Sequence, residues 1–318
     1  MTVAPPGRLL RLGVVLDTRN PVERLREVAR MCDRAGIGAL WVEDPRAGGD
    51  GSARLEAWTA LALVAPDLHR ARLGAMLEAT WRAPALLAGM AASLAVAAGG
   101  RLELTLRGEG LAGAVAALRA ELAAARVPSM VARDRPGPVP EVVAVPPERP
   151  TLGVEVPAAG PAELEWAAGV ADDVLLPPAP VAATLQAATA ARRAATAAGR
   201  DPGQLGIAAR LPVSVGRTAA EAQARWDAEP AFAALGRGGQ VGIFGTLEQC
   251  HERVAALAHA GVTDLRCLLP NTIDVHDVIA QLTAMTVGSV EQLVPGAPRT
   301  RVPEPPRGWG GRSRFPRP

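Results

Sequence analysis

The sequence predicts an α/β protein folded as a single (β/α)8 TIM barrel. Two observations carry this: short apolar runs alternate with helix-patterned runs along the chain, and eight such pairs fill about 280 residues. An open doubly wound sheet fits the alternation too, but this many units over this length favours closure. The chain has 318 residues, 49% of them hydrophobic and 21% charged, enough apolar side chain for one large core.

The elements can be read in order. Leu9 to Leu16 is the first strand and ends at Asp17; Pro21 opens a helix whose apolar residues recur at helical spacing to Ala35, where Gly36 stops it. Ile37 to Val42 is the second strand, closed by Glu43, Asp44 and Pro45, and after a glycine loop a helix runs from Leu55 to Val64. Arg72 to Leu77 and Ala83 to Ala98 form the third pair, Leu102 to Leu106 and Leu111 to Ala125 the fourth. Seven prolines between Val127 and Pro150 leave no room for a helix there. The alternation resumes with strands at Thr151 to Val156, Asp173 to Leu176, Leu205 to Val215 and Val262 to Leu269. Helices fall at Ala162 to Gly169, at Val181 to Ala198, from near Thr218, from Thr246 and at Val275 to Met285. Thr246 and Gln249, three apart, have the spacing of a capping box. The barrel is expected over residues 1–290, with 127–150 a Pro-rich loop and 291–318 a disordered Pro- and Arg-rich tail.

Composition removes several chemistries. All 34 basic residues are arginine, and there is no tyrosine, so a phosphate-binding P-loop lysine, a Schiff-base lysine and a Tyr–Lys dehydrogenase pair are excluded. Cys32, Cys250 and Cys267 form no CxxC pair and read as buried structural thiols. His251 and His259 are eight apart, His69 precedes a strand, and His276 reads as a surface helix start; no zinc set emerges, and no Gly-x-Ser-x-Gly elbow. The net charge of +2 divides unevenly, because residues 297–318 carry six arginines against Glu304, or +5, leaving about −3 for the body. A mildly acidic body offers no footprint for nucleic acid. No run reaches the roughly 18 uncharged apolar residues of a membrane span, and no signal-peptide pattern opens the chain, so a soluble cytoplasmic protein is expected.

Several segments resemble the luciferase-like family of flavin- and deazaflavin-dependent oxidoreductases. They are Ala35-Gly36-Ile37-Gly38-Ala39-Leu40-Trp41-Val42-Glu43-Asp44; Arg72-Leu73-Gly74-Ala75-Met76, with Arg82-Ala83-Pro84 and Gly99-Gly100-Arg101-Leu102-Glu103-Leu104; Ala168 to Val174; Gly199-Arg200-Asp201-Pro202; and Gly245-Thr246-Leu247-Glu248-Gln249 running on to Val262. The resemblance implies a pocket at the carboxyl ends of the strands for coenzyme F-420, or FMN, with a small organic substrate and a homodimer through helices two and three. It also implies a bulge at Gly74-Ala75-Met76 pressing on the ring. Asp44 and Glu78 are the candidate catalytic residues, and Arg107, Gly108, Glu155 and Gly160 complete the candidate cofactor set, with no metal. The sequence departs from the family at Thr105, Arg107 and Glu109, where glycines are usual, and at Glu155, where a Gly-Gly phosphate turn is usual; Pro45 replaces a histidine. Glycine there allows close backbone approach, so these side chains crowd the cofactor. Arg107 can stand in for lost amides as a phosphate partner. The alternative is a degenerate barrel without cofactor, serving as a partner subunit or ligand-binding protein. An unrelated lyase or isomerase barrel, lacking Lys and Tyr, ranks third.

Overall fold

The computed structural model describes residues 10–45, 54–124, 150–233, 235, 238–270 and 277–284. The strands are β1 (Arg11–Val15), β2 (Ala39–Glu43), β3 (Arg72–Glu78), β4 (Leu102–Arg107), β5 (Thr151–Glu155), β6 (Asp173–Leu176), β7 (Gly206–Val215), β8 (Ile243–Gly245) and β9 (Asp264–Leu268). The helices are α1 (Val22–Ala35), α2 (Ala57–Val64), α3 (Pro84–Ala97), α4 (Leu111–Ala124), α5 (Pro161–Val170), α6 (Val181–Ala197), α7 (Ala219–Ala228), two one-turn pieces α8 (Pro230–Ala233) and α9 (Gly238–Val241), and α10 (Leu247–His259). Residues 277–284 are helical as well.

Every pairing is parallel. The strands run β1 to β7 in order, β9 lies between β7 and β1, and the β6–β7 pairing closes the ring. This is a closed eight-stranded barrel wrapped by helices, as the alternation predicts. The ninth strand, β8, pairs only with the far end of β7 and was not foreseen; three residues are too few to show a periodicity. The expected Pro-rich loop, apart from Pro150, and the expected tail lie outside the described residues.

Local chemistry fixes the element ends. Gly36 takes φ 78° and its N–H donates to the Asp33 carbonyl, closing α1. The predicted capping box is present: Thr246 and Gln249 each accept from the other's backbone N–H at the start of α10. Glu56 caps α2, accepting from the N–H groups of Trp58 at 3.0 Å and Thr59 at 2.8 Å.

Alternation along each strand sorts side chains into two cores. Outward residues such as Leu40, Val42, Leu73, Ala75, Leu104 and Val154 pack under the helices as the main apolar cluster. Inward, a thin apolar waist of Val15, Ala39, Trp41, Met76, Leu175 and Ala208 crosses the barrel, with Leu268 against it. Cys32, Cys250 and Cys267 are all free and buried, as expected. No helix among the described residues is long and apolar enough to cross a membrane.

Candidate functional site

Above the waist, at the carboxyl ends of the strands, the inward positions are occupied by charge. β2 contributes Glu43, β3 Glu78, β4 Arg107, β5 Glu155 and β7 Arg210; each is one step of the alternation beyond a waist residue or glycine, except Arg107, which follows Thr105. Arg107 is the hub. Its Nε donates to Glu78 Oε1 at 2.8 Å, its Nη1 to Glu43 Oε2 at 3.1 Å, and its Nη2 to the carbonyl of Asp44. Glu155 Oε2 stands 4.0 Å from the same guanidinium. Arg210 Nη2 donates to the other oxygen of Glu43 at 2.6 Å, while its buried Nε has no hydrogen-bond partner.

Asp44 is fully buried, just past the end of β2. Arg82 clamps it with two hydrogen bonds, 2.7 Å to Oδ2 and 2.9 Å to Oδ1, and the N–H of Glu78 adds a third at 3.0 Å. Arg82 also pairs with Glu56, the cap of α2. Two carboxylates hold this guanidinium more firmly protonated than usual, its hydrogen bonds to Asp44 weighing most. Asp44 thus ties three elements together. The acceptor Glu56 is itself held below the ordinary carboxylate range: burial opposes ionisation, but the α2 N–H groups and Arg82 outweigh it.

The sequence-predicted residues divide between mouth and core. Asp44, Glu78, Arg107 and Glu155 come together at the mouth. Gly108 follows directly, in the left-handed region at φ 89°, with Gly110 at φ 66° forming an exposed turn into α4. Glu78 Oε2 fills the space a Gly108 side chain would need. Gly160 lies at the N-terminus of α5. The predicted bulge is absent: β3 pairs one-to-one with β2 and with β4, through Glu78 on the β4 side. Consequently Gly74 is covered by the Trp41 ring, Ala75 faces the helix layer, and Met76 is sealed in the waist. Thr105, expected to crowd the cofactor, instead points to the floor, where its Oγ1 accepts from Arg266 at 2.8 Å. Glu109 is exposed in the turn. Trp41 is core packing, as expected, and Trp81, half exposed, stands just past β3.

Arg82, Arg210 and Glu56 enter the site without having been singled out. Arg210 carried a signal: a charge inside an otherwise apolar parallel strand marks an inward position. Glu56 falls within the run read as the second helix, and Arg82 within a motif quoted for the resemblance, but nothing in the pattern gives either a place in the site. No group of three or more His, Cys, Asp or Glu among the described residues is placed to hold a metal.

Comparison with known proteins agrees with the fold. Residues 9–112 match the family described as luciferase-like monooxygenase. No curated protein matches the sequence. Among solved structures, an F-420-dependent secondary alcohol dehydrogenase, in complex with an F-420–acetone adduct, superposes with a TM-score of 0.71 at 16% identity, covering 88% of this chain and 99% of that one. The coenzyme F-420 dependent tetrahydromethanopterin reductase of Methanopyrus kandleri gives 0.66 at 15% identity, again with 88% and 99% covered. A riboflavin lyase with modified FMN and riboflavin gives 0.68 at 14%, with 88% and 92% covered. Identities this low carry the fold alone. The family match covers residues 9–112, β1 to β4 only, and the closed parallel barrel has the topology of the structures above: the chain is a (β/α)8 barrel similar to the luciferase-like proteins.

Proposed function

We propose that the protein is an oxidoreductase that binds coenzyme F-420, or FMN in its place, at the mouth and passes hydride between it and a small organic substrate. The observation that carries this reading is the cluster of guanidinium donors and carboxylate acceptors at the carboxyl ends of the strands, with the buried Arg210 Nε left without a partner. The pyrimidine edge of a flavin or deazaflavin presents carbonyl oxygens and an N–H, and this donor set fits it. The Gly108–Gly110 turn and the N-terminus of α5 at Gly160 would face the phosphate end.

When bound, the ring supplies the hydride chemistry, and the protein supplies position and proton handling. Arg107 and Arg210 would orient the ring's polar edge, with Glu155 at the rim. Glu78 would hold the proton at Oε2, since Oε1 is engaged by Arg107. Asp44, with both oxygens taken by Arg82, would act by positioning rather than by proton transfer. Gly74 and Met76 would support the mouth from beneath, with Ala75 backing the strand from the helix layer. The same reading carries a cytoplasmic homodimer through α2 and α3, where Trp58, Met90 and Leu94 border a shallow apolar groove.

A second reading rests on the burial of Arg107, which is 2% exposed with all three of its nitrogens engaged by the chain itself. Arg107 then acts as a plug, and the barrel is a non-catalytic partner subunit or ligand-binding protein. Equilibrium titration of the purified chain with coenzyme F-420 and, separately, FMN decides between them. Saturable binding at about micromolar concentration, weakened in Arg210→Met, supports the enzyme. Folded protein that binds neither leaves the plugged barrel.

A further inference from the structure

The opposite end of the barrel holds a second chamber. Between the amino ends of the strands lies a cavity of about 650 Å³, within the roughly 300–1,000 Å³ typical of small-molecule sites. Thr151, Asp172 and Gln204 border its opening, and its depth reaches Trp41, Thr105, Gly153 and Arg266. The glycine keeps it open: a side chain at Gly153 would stand 2.9 Å from Thr105 Oγ1 and 3.2 Å from Asp173 Oδ1.

The charges on the wall cancel in pairs. Arg11 bridges Glu103 and Asp264, Arg72 pairs with Glu103, and Arg266 donates to Asp173 Oδ1 at 3.0 Å while stacking 3.6 Å from the Trp41 ring centroid. Three polar atoms are left over: Trp41 Nε1, Asp264 Oδ1 and Arg266 Nε, none with a hydrogen-bond partner. Their side chains are buried to within 2% of completely. Buried groups of this kind ordinarily find partners, so three around one cavity point to something that enters it.

The geometry of the leftovers selects the chemistry. Arg266 Nε and Asp264 Oδ1 stand 3.7 Å apart, too far to bond each other and close enough to share one visitor. An anion placed there would accept from Arg266 but be repelled by Asp264; an ammonium would meet the reverse. A hydroxyl both accepts and donates. Trp41 Nε1 donates only and calls for a second oxygen acceptor. Because the wall's charges are already paired, a ligand bringing net charge would find no free counter-charge.

We propose that this cavity binds a small, neutral, polyhydroxylated molecule, a monosaccharide or polyol. The inference does not depend on the cofactor reading, since the apolar waist separates this chamber from the mouth. It is a binding site rather than a reaction site, chemistry in such barrels being confined to the carboxyl face.

Calorimetric titration of the full chain with D-glucose, myo-inositol and glycerol tests this, with inorganic phosphate and methylammonium as charged counter-probes. Saturable binding of at least one polyhydroxylated probe, and of neither counter-probe, is expected. Thr151→Phe, which puts a ring into the opening, should weaken it by about tenfold or more, and Gln204→Trp at an exposed rim position provides a second block should the first fail to fold. No saturable binding of any polyhydroxylated probe overturns the proposal and leaves a chamber of water. Tighter binding of phosphate or methylammonium overturns the ligand class. Polyol binding unchanged in both variants overturns the location. Affinity for F-420 or FMN, read on the same variants, should not change, so failure here stays distinct from failure at the mouth.

Discussion

Gly74→Ala separates packing from cofactor contact at a position where sequence alone suggested the latter. A methyl group on Gly74 would stand 2.6 Å from Cζ3 of Trp41 and inside the van der Waals shells of Cδ2 and Cε3. The indole has little room to retreat. A side chain at Gly13, on the far side, would be 3.1 Å from Cδ1 and Nε1, and Arg266 lies over the ring face. Overpacking a tight core costs about 1–3 kcal/mol and occasionally more; with a rigid bicyclic ring pinned between glycine surfaces, about 3 kcal/mol or more is expected. Urea unfolding of the wild type and variant reads this directly from the midpoint at constant slope. Trp41→Phe in the Gly74→Ala background should recover part of the loss, with a coupling of about 1–2 kcal/mol. A loss below about 1 kcal/mol, together with weakened cofactor affinity, would refute the packing account and return Gly74 to the binding set.

Arg107→Ala removes the hub and leaves Glu78 and Glu43 facing each other in a buried mouth, so unfolding free energy should fall by about 3–5 kcal/mol in the same assay. Burial pushes Asp173 up from its ordinary 3.8 to about 6, beyond what Arg266 offsets. A carboxyl raised by folding stabilises the fold below its unfolded value, and that contribution is lost as pH rises through about 6. Relative to Asp173→Asn, the wild type should therefore lose stability between about pH 4 and 6, and parallel pH profiles of the two would contradict it. Burial also pushes Cys32 and Cys250 up to about 12 and raises Cys267 too, so an aromatic disulfide reagent at neutral pH should label none until urea is added. Thr246→Ala should cost about 1 kcal/mol through the lost cap of α10.

The fold was legible because parallel strands buried on both faces are compact apolar runs, and their helices end on chemistry visible in sequence, such as Gly36 and Thr246. The boundaries of α1 and of β6 coincide with those read from the pattern. The site was only half legible. Asp44, Glu78 and Glu155 stand where strands end, so position alone nominated them. The register that buries Arg107 under Glu43 and Glu78 is a cross-strand property, set by Glu78 facing Arg107 and by Glu43 facing Met76, and no single segment encodes it. The bulge failed for a related reason: Gly74 reads equally as a flexible point and as the place a tryptophan from the next strand must lie. The floor was missed because Arg72, Glu103, Asp173 and Asp264 sit at strand starts, where a charge is easily taken for a solvated end.

A TIM-barrel interior is ordinarily filled by layers of branched apolar side chains. Here only the middle of the barrel is apolar, while both ends are ionic. Buried ion pairs do not explain this through stability, because their desolvation cost rivals their attraction, and well-packed apolar residues of similar volume usually serve as well or better. Charge also brings geometric demand: Arg107 requires Glu78 and Glu43 in fixed register, and Arg266 requires Asp173 and Thr105. A barrel that needed only to stand would gain nothing from these constraints. The ends are built to hold polar groups in place, and each still has a buried donor to give, Nε of Arg210 above and Nε of Arg266 below. The waist keeps the two apart, with Trp41 and Met76 between the mouth proposed to take a planar, hydrogen-bonding ring and the floor proposed to take hydroxyls.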